Sequence, residues 1–156
     1  DRLSLPYSKL DMQKYTTREI VSKTMDMFPL KRKRIKIENH IPEEQIYVDE
    51  TKFTLALRNL LDNAIKYSIS DMRIDLIILK NNDVEFQVKD SGIGISKENI
   101  HKLTEPFYQA DQTVSTKGFG LGLTICKKII ESHKGKLRIE SEEKGSCFIL
   151  HLPTIK

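Results

Sequence analysis

The sequence predicts an α+β domain of two layers, in which a mixed β-sheet lies against helices. Helical and strand-like segments follow one another without the strict strand–helix alternation that a parallel sheet requires. The length of 156 residues suits one compact domain. Uninterrupted apolar runs reach only about four residues, as at 76–79, whereas a membrane span needs about 20. These observations favour one globular domain.

The first half of the chain is predicted to contain two helices and two strands. Residues 1–16 have little periodicity and are interpreted as the end of a linker with one short strand. A helix begins at Thr17, which can cap it, and its apolar stripe continues until Pro29. Residues 35–38 alternate as a strand does, and the helix predicted over 51–68 has one apolar face.

The second half is predicted to contain a hairpin, a long irregular segment, a helix and two closing strands. The predicted bounds are 73–79 and 84–89 for the hairpin strands, 90–120 for the irregular segment, 120–133 for the helix, and 136–140 and 146–152 for the closing strands. Gly135 is predicted to end the helix. An irregular segment of about 30 residues is unusual inside a compact domain and is usually functional.

The net charge of +4 comes from one basic cluster and not from the whole chain. The cluster consists of Lys31, Arg32, Lys33, Arg34 and Lys36. Without these five residues, the basic residues fall from 26 to 21 against 22 acidic ones. A solvated loop or helix end explains such a cluster, so the sequence predicts no nucleic-acid partner. A nucleic-acid binder that uses this cluster is the alternative.

Two cysteines bear on the cellular compartment. Cys126 and Cys147 lie in apolar surroundings and are predicted to be buried reduced thiols, and not a disulfide or a metal pair. Reduced thiols fit a reducing compartment such as the cytoplasm.

Three polar residues share one side of the helix predicted over 51–68. Asn59 and Asn63 are four residues apart, and Lys66 lies within about 60° of Asn63 around the helix. A solvated helix face is one explanation of this stripe. A ligand site is the other, because Asn carbonyl oxygens suit Mg²⁺ and a Lys ammonium suits phosphate.

Five of the seven glycines lie between Gly92 and Gly122. In the segment 90–95, the Asp90 carboxylate follows a predicted strand and can accept a hydrogen bond from an exocyclic amine of a base. The two glycines after it let a ligand come close to the backbone. The segment 118–123 opens a helix, whose N-terminal N–H groups suit an anion. Its spacing matches neither the dinucleotide-binding fingerprint nor a Walker loop.

Four segments in this order resemble the motif boxes of sensor histidine kinases. Residues 58–68 resemble the N box, 90–95 the first glycine box, 105–109 the F box and 118–123 the second glycine box. Residues 131–135 resemble the helix end that follows these boxes. The spacing agrees over residues 17–153. The chain therefore resembles the catalytic ATP-binding domain of bacterial two-component kinases, which belongs to the GHKL superfamily.

The resemblance implies the Bergerat ATP-binding fold, a mixed sheet of about five strands packed on about three helices. It implies that residues 1–12 end a linker from missing dimerisation and phosphoacceptor helices, and that 13–156 form the catalytic domain. The implied cofactors are ATP and Mg²⁺. The implied partners are the phosphoacceptor histidine domain of the parent kinase and a response regulator. The isolated domain is expected to be a cytoplasmic monomer, and the parent a homodimer anchored in the bacterial inner membrane.

The resemblance also implies roles for single residues. Asn63 would bind Mg²⁺ with Asn59 assisting, Tyr67 would contact the nucleotide edge, and Asp90 would read the adenine amino group. The segment 105–117 would form a lid. The implied catalytic residues are Asn59, Lys66 and Lys117. The implied nucleotide-binding residues are Asn59, Asn63, Lys66, Tyr67, Asp90, Gly92, Gly94, Ile95, Phe107, Lys117, Gly118, Phe119, Gly120, Leu121, Gly122 and Leu123.

Two positions depart from the family pattern. Gln109 stands where the family often has Arg, so Lys117 is expected to be the main cation of the lid. Phe119 stands where a small residue such as Thr is common.

The residue types at the site predict phosphoryl transfer and not hydrolysis. Asn59 stands where the gyrase-like and chaperone ATPases of the same fold carry a Glu that activates water, and an amide cannot act as a general base. Phosphoryl transfer depends mostly on positioning and charge neutralisation. None of His40, His101, His133 and His151 lies in the helical His-Glu setting of the family's phosphoacceptor, so transfer is expected in trans. The alternatives are a GHKL-type ATPase and a non-catalytic nucleotide-sensing module.

Overall fold

A computed structural model of the chain describes residues 9–28, 34–67, 73–90, 119–142 and 145–154. Within these ranges, the side chains of residues 67, 119–122, 141 and 142 are left out of the description. The helices are α1 (Thr17–Met25), α2 (Glu50–Tyr67) and α3 (Phe119–Ser132). The strands are β1 (Met12–Thr16), β2 (Ile35–Asn39), β3 (Gln45–Asp49), β4 (Ile74–Asn81), β5 (Asp83–Asp90), β6 (Lys136–Glu142) and β7 (Gly145–Leu152).

Five strands form the main sheet in the order β2-β4-β5-β7-β6. Strand β2 runs parallel to β4, and the other three neighbouring pairs are antiparallel. A parallel pair needs a long crossover, and the chain between β2 and β4 supplies one that contains β3 and α2. The mixed sheet confirms the predicted fold class.

The helices cover one face of the main sheet, and the hydrophobic core lies between the two layers. Alternate residues of the three central strands belong to this core, as the geometry of a strand with one covered face requires. These residues are Ile74, Leu76 and Ile78 of β4, Val84, Phe86 and Val88 of β5, and Phe148, Leu150 and Leu152 of β7. The core residues of the helices include Leu57, Leu60, Leu61 and Ile130. The predicted two-layer arrangement is therefore confirmed.

Strands β1 and β3 form a separate two-stranded antiparallel sheet. The sequence predicted one short strand within residues 1–16 but did not predict β3. Strand β3 runs directly into α2 without a Gly or Pro between them, so the usual signal that ends a strand is missing. Its alternation is nevertheless regular, because Ile46 and Val48 are buried while Gln45 and Tyr47 are exposed.

Helix α1 is capped by Thr16, so the prediction that Thr17 caps it is wrong by one residue. The Thr16 hydroxyl accepts the N–H of Glu19 at 3.1 Å, and the Glu19 carboxylate accepts the N–H of Thr16 at 2.8 Å. This reciprocal pair is a capping box. Thr17 is buried, and its hydroxyl donates to the carbonyl oxygen of Ile41 at 2.6 Å.

The start of α2 is fastened to the end of α3 through a buried histidine. Asp49 directly precedes α2, and its carboxylate accepts the N–H of Lys52 at 3.1 Å. The backbone N–H of Asp49 donates to Nε2 of His133 at 3.0 Å, and Nδ1 of His133 lies 2.8 Å from the carbonyl oxygen of Ile129. With Nε2 accepting, Nδ1 is the donor and the ring is neutral. The prediction that His133 is structural agrees with these contacts.

Helix α3 ends in a Schellman motif. The N–H of Gly135 donates to the carbonyl oxygen of Ile130, and that of Lys134 to Glu131, each at 2.9 Å. Lys134 itself has a left-handed backbone with φ of 63°. Gly135 lies so close to β7 that an added Cβ would be 2.0 Å from the carbonyl oxygen of His151. Gly135 thus follows the helix as predicted, and its main structural role is this close approach.

The two cysteines are free thiols, as predicted. Cys126 is buried and its Sγ lies 3.1 Å from the carbonyl oxygen of Ala56, which joins α3 to α2. Cys147 is half-buried, and burial raises the pKa of this thiol to about 11. Burial also raises the pKa of Cys126. Neither thiol is therefore a reactive thiolate at neutral pH.

Several predictions fall on residues outside the described ranges. They include the irregular segment from 91 to 118, with its lid and His101, and most of the basic cluster at 31–36. Among the described helices, none combines the length and the apolar character needed to cross a membrane.

Candidate functional site

The predicted site residues that the structure describes with their side chains lie on three elements. Asn59, Asn63 and Lys66 are in the C-terminal half of α2, Asp90 ends β5, and Leu123 is in α3. The predictions for Gly92, Gly94, Ile95, Phe107, Lys117 and Gly118 fall outside the described residues, as do those for the side chains of Tyr67, Phe119 and Leu121.

Contacts along the chain indicate that these three elements meet at one end of the domain. The start of α2 lies beside the end of α3, through the bond between Asp49 and His133. The turn after α3 contacts His151, which pairs with Glu85 near the start of β5. We therefore infer that the opposite end of the domain brings together the end of α2, the start of α3 and the end of β5 at Asp90.

Asn63 has a buried amide whose nitrogen atom is unusual among the described residues. Its residue is 8% exposed, and Nδ2 has no partner in the described part of the chain. Buried polar groups are normally paired, and leaving one without a partner costs about 1–3 kcal/mol. Asn63 is therefore not part of a solvated helix face, which was the simpler explanation of the polar stripe. A half-turn of the amide would present its oxygen, a ligand that suits Mg²⁺.

Asn59 and Lys66 lie one turn before and just after Asn63 on the same helix. Asn59 is half-buried, and Lys66 is exposed in the last turn of α2. The side chain of Lys66 can therefore move over a ligand, while Asn59 is more closely surrounded. Their neighbours Arg58 and Asp62 form an ion pair at 3.7 Å across one helical turn.

Asp90 is oriented by a residue that the sequence did not single out. It is half-buried at the end of β5, where it pairs in register with Ser146 of β7. The Ser146 hydroxyl donates to Oδ2 of Asp90 at 3.1 Å. Ser146 is itself buried, so it restricts the rotation of the carboxylate. The link depends on the register of two strands 56 residues apart, which the sequence alone does not reveal.

Helix α3 begins at Phe119, so the glycines Gly120 and Gly122 lie in its first turn. The first four N–H groups of a helix have no partner within it and can bind an anion. Leu123, predicted among the nucleotide-binding residues, is fully buried in the hydrophobic core. Its side chain anchors α3 in the core, so any contact it makes with a ligand has to come from its backbone.

A family model described as "Histidine kinase-, DNA gyrase B-, and HSP90-like ATPase" matches residues 48–156, which is more than half of the chain. The chain belongs to this family. The match begins at the end of β3 and includes α2, β5 and α3, the three elements that carry the candidate site.

Curated relatives of the family that match the chain are sensor kinases. Sensor protein RprX of Bacteroides fragilis is 36% identical, over 94% of this chain and 30% of its own length. Adaptive-response sensory kinase SasA of Gloeothece citriformis is 34% identical over 99% of this chain and 40% of its length. Sensor histidine kinase WalK of Bacillus subtilis is 33% identical over 96% of this chain and 27% of its length. The chain thus spans less than half the length of each of these relatives.

Solved structures of the family have the same fold. The catalytic domain of histidine kinase ThkA superposes with a TM-score of 0.80 at 28% identity, over 93% of this chain and 97% of that one. The mycobacterial sensor histidine kinase MprB gives a TM-score of 0.76 at 25% identity, over 90% and 96%. The predicted histidine kinase catalytic fold of the GHKL type is therefore confirmed.

Proposed function

We propose that this catalytic domain binds Mg-ATP and transfers its γ-phosphate to a histidine on a separate dimerisation domain. The observation that carries the proposal is the buried amide nitrogen of Asn63, Nδ2, which has no hydrogen-bond partner in the described part of the chain. The chain belongs to a family of ATPases, and an oxygen atom of bound Mg-ATP would supply the acceptor that Nδ2 lacks. The amide lies on the helix that also carries Asn59 and Lys66.

The described residues fit Mg²⁺ and a triphosphate. Asn63, with Asn59 one turn away, would hold the ion through side-chain oxygens, which are the hard ligands that Mg²⁺ prefers. When bound there, the ion would supply positive charge that offsets the charge of the phosphates. Lys66 is exposed three residues after Asn63 and would contact the same phosphates. The N–H groups at the start of α3 would hold them from the other side.

Asp90 would bind the adenine. An ionised carboxylate is a hydrogen-bond acceptor only, so it suits the exocyclic amine of adenine and not the carbonyl of guanine. Ser146 holds Oδ2 of this carboxylate at 3.1 Å and fixes its direction. The remaining implied contacts, from Tyr67, Gly92, Gly94, Ile95, Phe107, Lys117 and the backbone of 118–123, stay predictions.

The chain has the residues for holding the γ-phosphate but lacks the base that would activate water at the Asn59 position. The acceptor would be the imidazole of another domain, which is itself a nucleophile. The described histidines lie away from the candidate site. His133 bonds within the fold, His151 lies in β7 beside Arg138, and His40 is exposed at the far end of β2. Transfer to a separate phosphoacceptor domain is therefore the reaction proposed.

The partners follow from this reaction. The phosphoacceptor domain of the parent kinase would receive the phosphate, and a response regulator would take it in turn. The isolated domain would be a monomer, whereas the full-length parent kinase would be a homodimer. The domain would act in the cytoplasm, with the parent anchored in a bacterial inner membrane.

Titration of the chain with Mg-ATP tests the site. Asp90→Asn keeps the shape of the side chain but removes the charged acceptor. It should weaken binding at least about tenfold, because a hydrogen bond to a charged group is worth roughly 1.5–3 kcal/mol. Asp83→Asn makes the same change at the exposed start of β5 and should bind like the wild type. Asn63→Ala should likewise lose binding, and the exposed Asn81→Ala is its matched control.

Unchanged affinity in both site variants would exclude this site. Loss of affinity in the control variants as well would show that the effect is not local. Steady release of phosphate by the chain alone, without transfer to an added phosphoacceptor segment, would support the GHKL-type ATPase instead.

A further inference from the structure

We propose that a basic groove at the end of the domain far from Asp90 binds an acidic segment of a partner protein. The groove consists of two adjoining cavities of about 470 Å³ and 540 Å³ that share Lys134 and Pro153 in their walls. One cavity continues to Lys136 and Arg138 of β6, and the other to Tyr47 of β3.

The groove is separate from the candidate nucleotide site. Asp83, at the start of β5, lines the groove, whereas Asp90 ends the same strand. A strand rises about 3.4 Å per residue, so the two ends of β5 are about 24 Å apart. A ligand in the groove therefore leaves the nucleotide site open.

The groove has an excess of positive charge. Its charged lining residues are Lys14, Lys134, Lys136 and Arg138 against the single carboxylate of Asp83. The three lysines are exposed, and their ammonium groups have no ion-pair partner in the described part of the chain. Arg138 is held in place by Glu140 at 3.0 Å and by Nε2 of His151 at 2.9 Å. A ligand with carboxylates would supply the missing partners.

An exposed aromatic ring lies beside these cations. Tyr47 is 50% exposed, and Met12 lines the same cavity. Tyr47 lies directly opposite Lys14 in the register of β1 and β3, so ring and ammonium group share one face of the small sheet. A half-exposed tyrosine next to lysines suits a ligand with one apolar side chain beside its carboxylates, because interfaces typically combine an aromatic centre with a charged rim.

Lys134 is held in an unfavourable backbone conformation at the centre of the groove. Its φ of 63° is disfavoured for a residue with a Cβ, and glycine is the usual residue at this position of a Schellman motif. The floor beside it is fixed, because Gly135 approaches β7 too closely to accept a side chain. A lysine at a strained position on a rigid surface is an outlier of the kind found at functional sites.

Selection of short peptides from a random library on the immobilised chain, at about physiological salt, tests the proposal. Enriched peptides should carry Asp or Glu on both sides of an aromatic or aliphatic residue. In the variant with Lys134→Gln and Lys136→Gln they should bind about tenfold more weakly. The control with Lys127→Gln and Lys128→Gln removes two exposed charges of α3 outside the groove, and should bind them like the wild type.

Two further variants separate binding from folding. Lys134→Gly should lose peptide binding while its melting temperature stays equal or rises, since glycine accepts the left-handed backbone. Tyr47→Ser should lose the preference for the apolar residue. The affinity for Mg-ATP should not change in either variant. The proposal for the groove can therefore fail independently of the proposal for the nucleotide site.

Three outcomes would overturn the proposal. The first is that no peptide is enriched. The second is that the enriched peptides lack acidic residues or bind the groove variant as well as the control. The third is that the groove lysines are needed for binding inorganic phosphate or vesicles of phosphatidylserine and phosphatidylcholine, with no peptide preference, which would assign the groove to phosphate groups or to a membrane surface.

Discussion

At the scale of single residues, two asparagines of the fold, one outside the candidate site and one within it, differ sharply in their surroundings. Both polar atoms of the Asn39 amide have hydrogen-bond partners within the fold. Its Nδ2 donates to the Thr17 hydroxyl at 3.0 Å, and its Oδ1 accepts from the N–H of Ile41 at 3.0 Å. Asn63 is a buried amide whose Nδ2 has no such partner among the described residues. The first contributes to stability, and the second weakens it in a way that a bound ligand can compensate.

This contrast predicts opposite effects of one substitution at two positions. Asn63→Leu should raise the free energy of unfolding by about 1 kcal/mol, because it removes a buried donor that has no partner. Asn39→Leu should lower it by about 1–3 kcal/mol, because the N–H of Ile41 loses its acceptor and the hydroxyl of Thr17 loses the N–H that it accepts. Urea unfolding without nucleotide measures both values. A loss of stability in Asn63→Leu similar to that in Asn39→Leu would contradict the interpretation of Asn63.

At the scale of helices and strands, most of the fold could be predicted, because periodic burial is visible in the sequence. Helix α2 and the hairpin of β4 and β5 were found within one or two residues of their bounds. Strand β3 was missed because it joins α2 directly, and its partner β1 lies about 30 residues earlier in the chain. The cap of α1 could have been predicted from the spacing Thr16-x-x-Glu19, which is the sequence signature of a capping box.

The candidate site was predicted less completely than the fold. Asn63 and Asp90 stand out by residue type and spacing, but Ser146 reaches Asp90 only through the pairing of β5 with β7. The contact of Asp49 with His133 spans 84 residues for the same reason. The sequence pattern reports local periodicity, whereas these contacts depend on which strands and helix ends become neighbours.

The contact between α2 and α3 through His133 predicts a dependence of stability on pH. Burial lowers the pKa of His133 below its ordinary value, against the opposing effect of the bond to Ile129. As the pH falls below about 6.5, His133 therefore becomes protonated in the unfolded chain before it does in the folded chain. The contribution of this group to the free energy of unfolding is fully present above that pH and decreases below it. The slope contributed by one group is at most about 1.4 kcal/mol per pH unit.

Urea unfolding at about pH 7.5 and about pH 5.5 measures this effect. His133→Gln should be less stable at the higher pH and should lose less stability than the wild type on acidification. His40→Gln, which changes an exposed histidine, is the control and should keep the wild-type dependence. An equal loss on acidification in the wild type and in His133→Gln would show that His133 does not carry it.

At the scale of the whole molecule, the domain has two ends with different chemistry. The end with Asn63, Lys66 and Asp90 carries the proposed nucleotide site, and the end with Lys134, Lys136 and Tyr47 carries the basic groove. Helices α2 and α3 and strand β5 connect the two ends. Relatives such as WalK are more than twice as long as this chain. In such proteins, further domains could contact either end of the catalytic domain.

Following a radioactive γ-phosphate tests most directly whether this chain holds ATP for transfer to a separate histidine. The chain is mixed with Mg-ATP and a phosphoacceptor segment of the parent kinase. We expect an acid-labile phosphoryl group on the added segment with the wild type, and none when Asn63→Ala or Asp90→Asn replaces it. The control variants Asn81→Ala and Asp83→Asn should transfer normally. No acid-labile phosphate on the segment, with label appearing only as free phosphate, would contradict the proposed transfer.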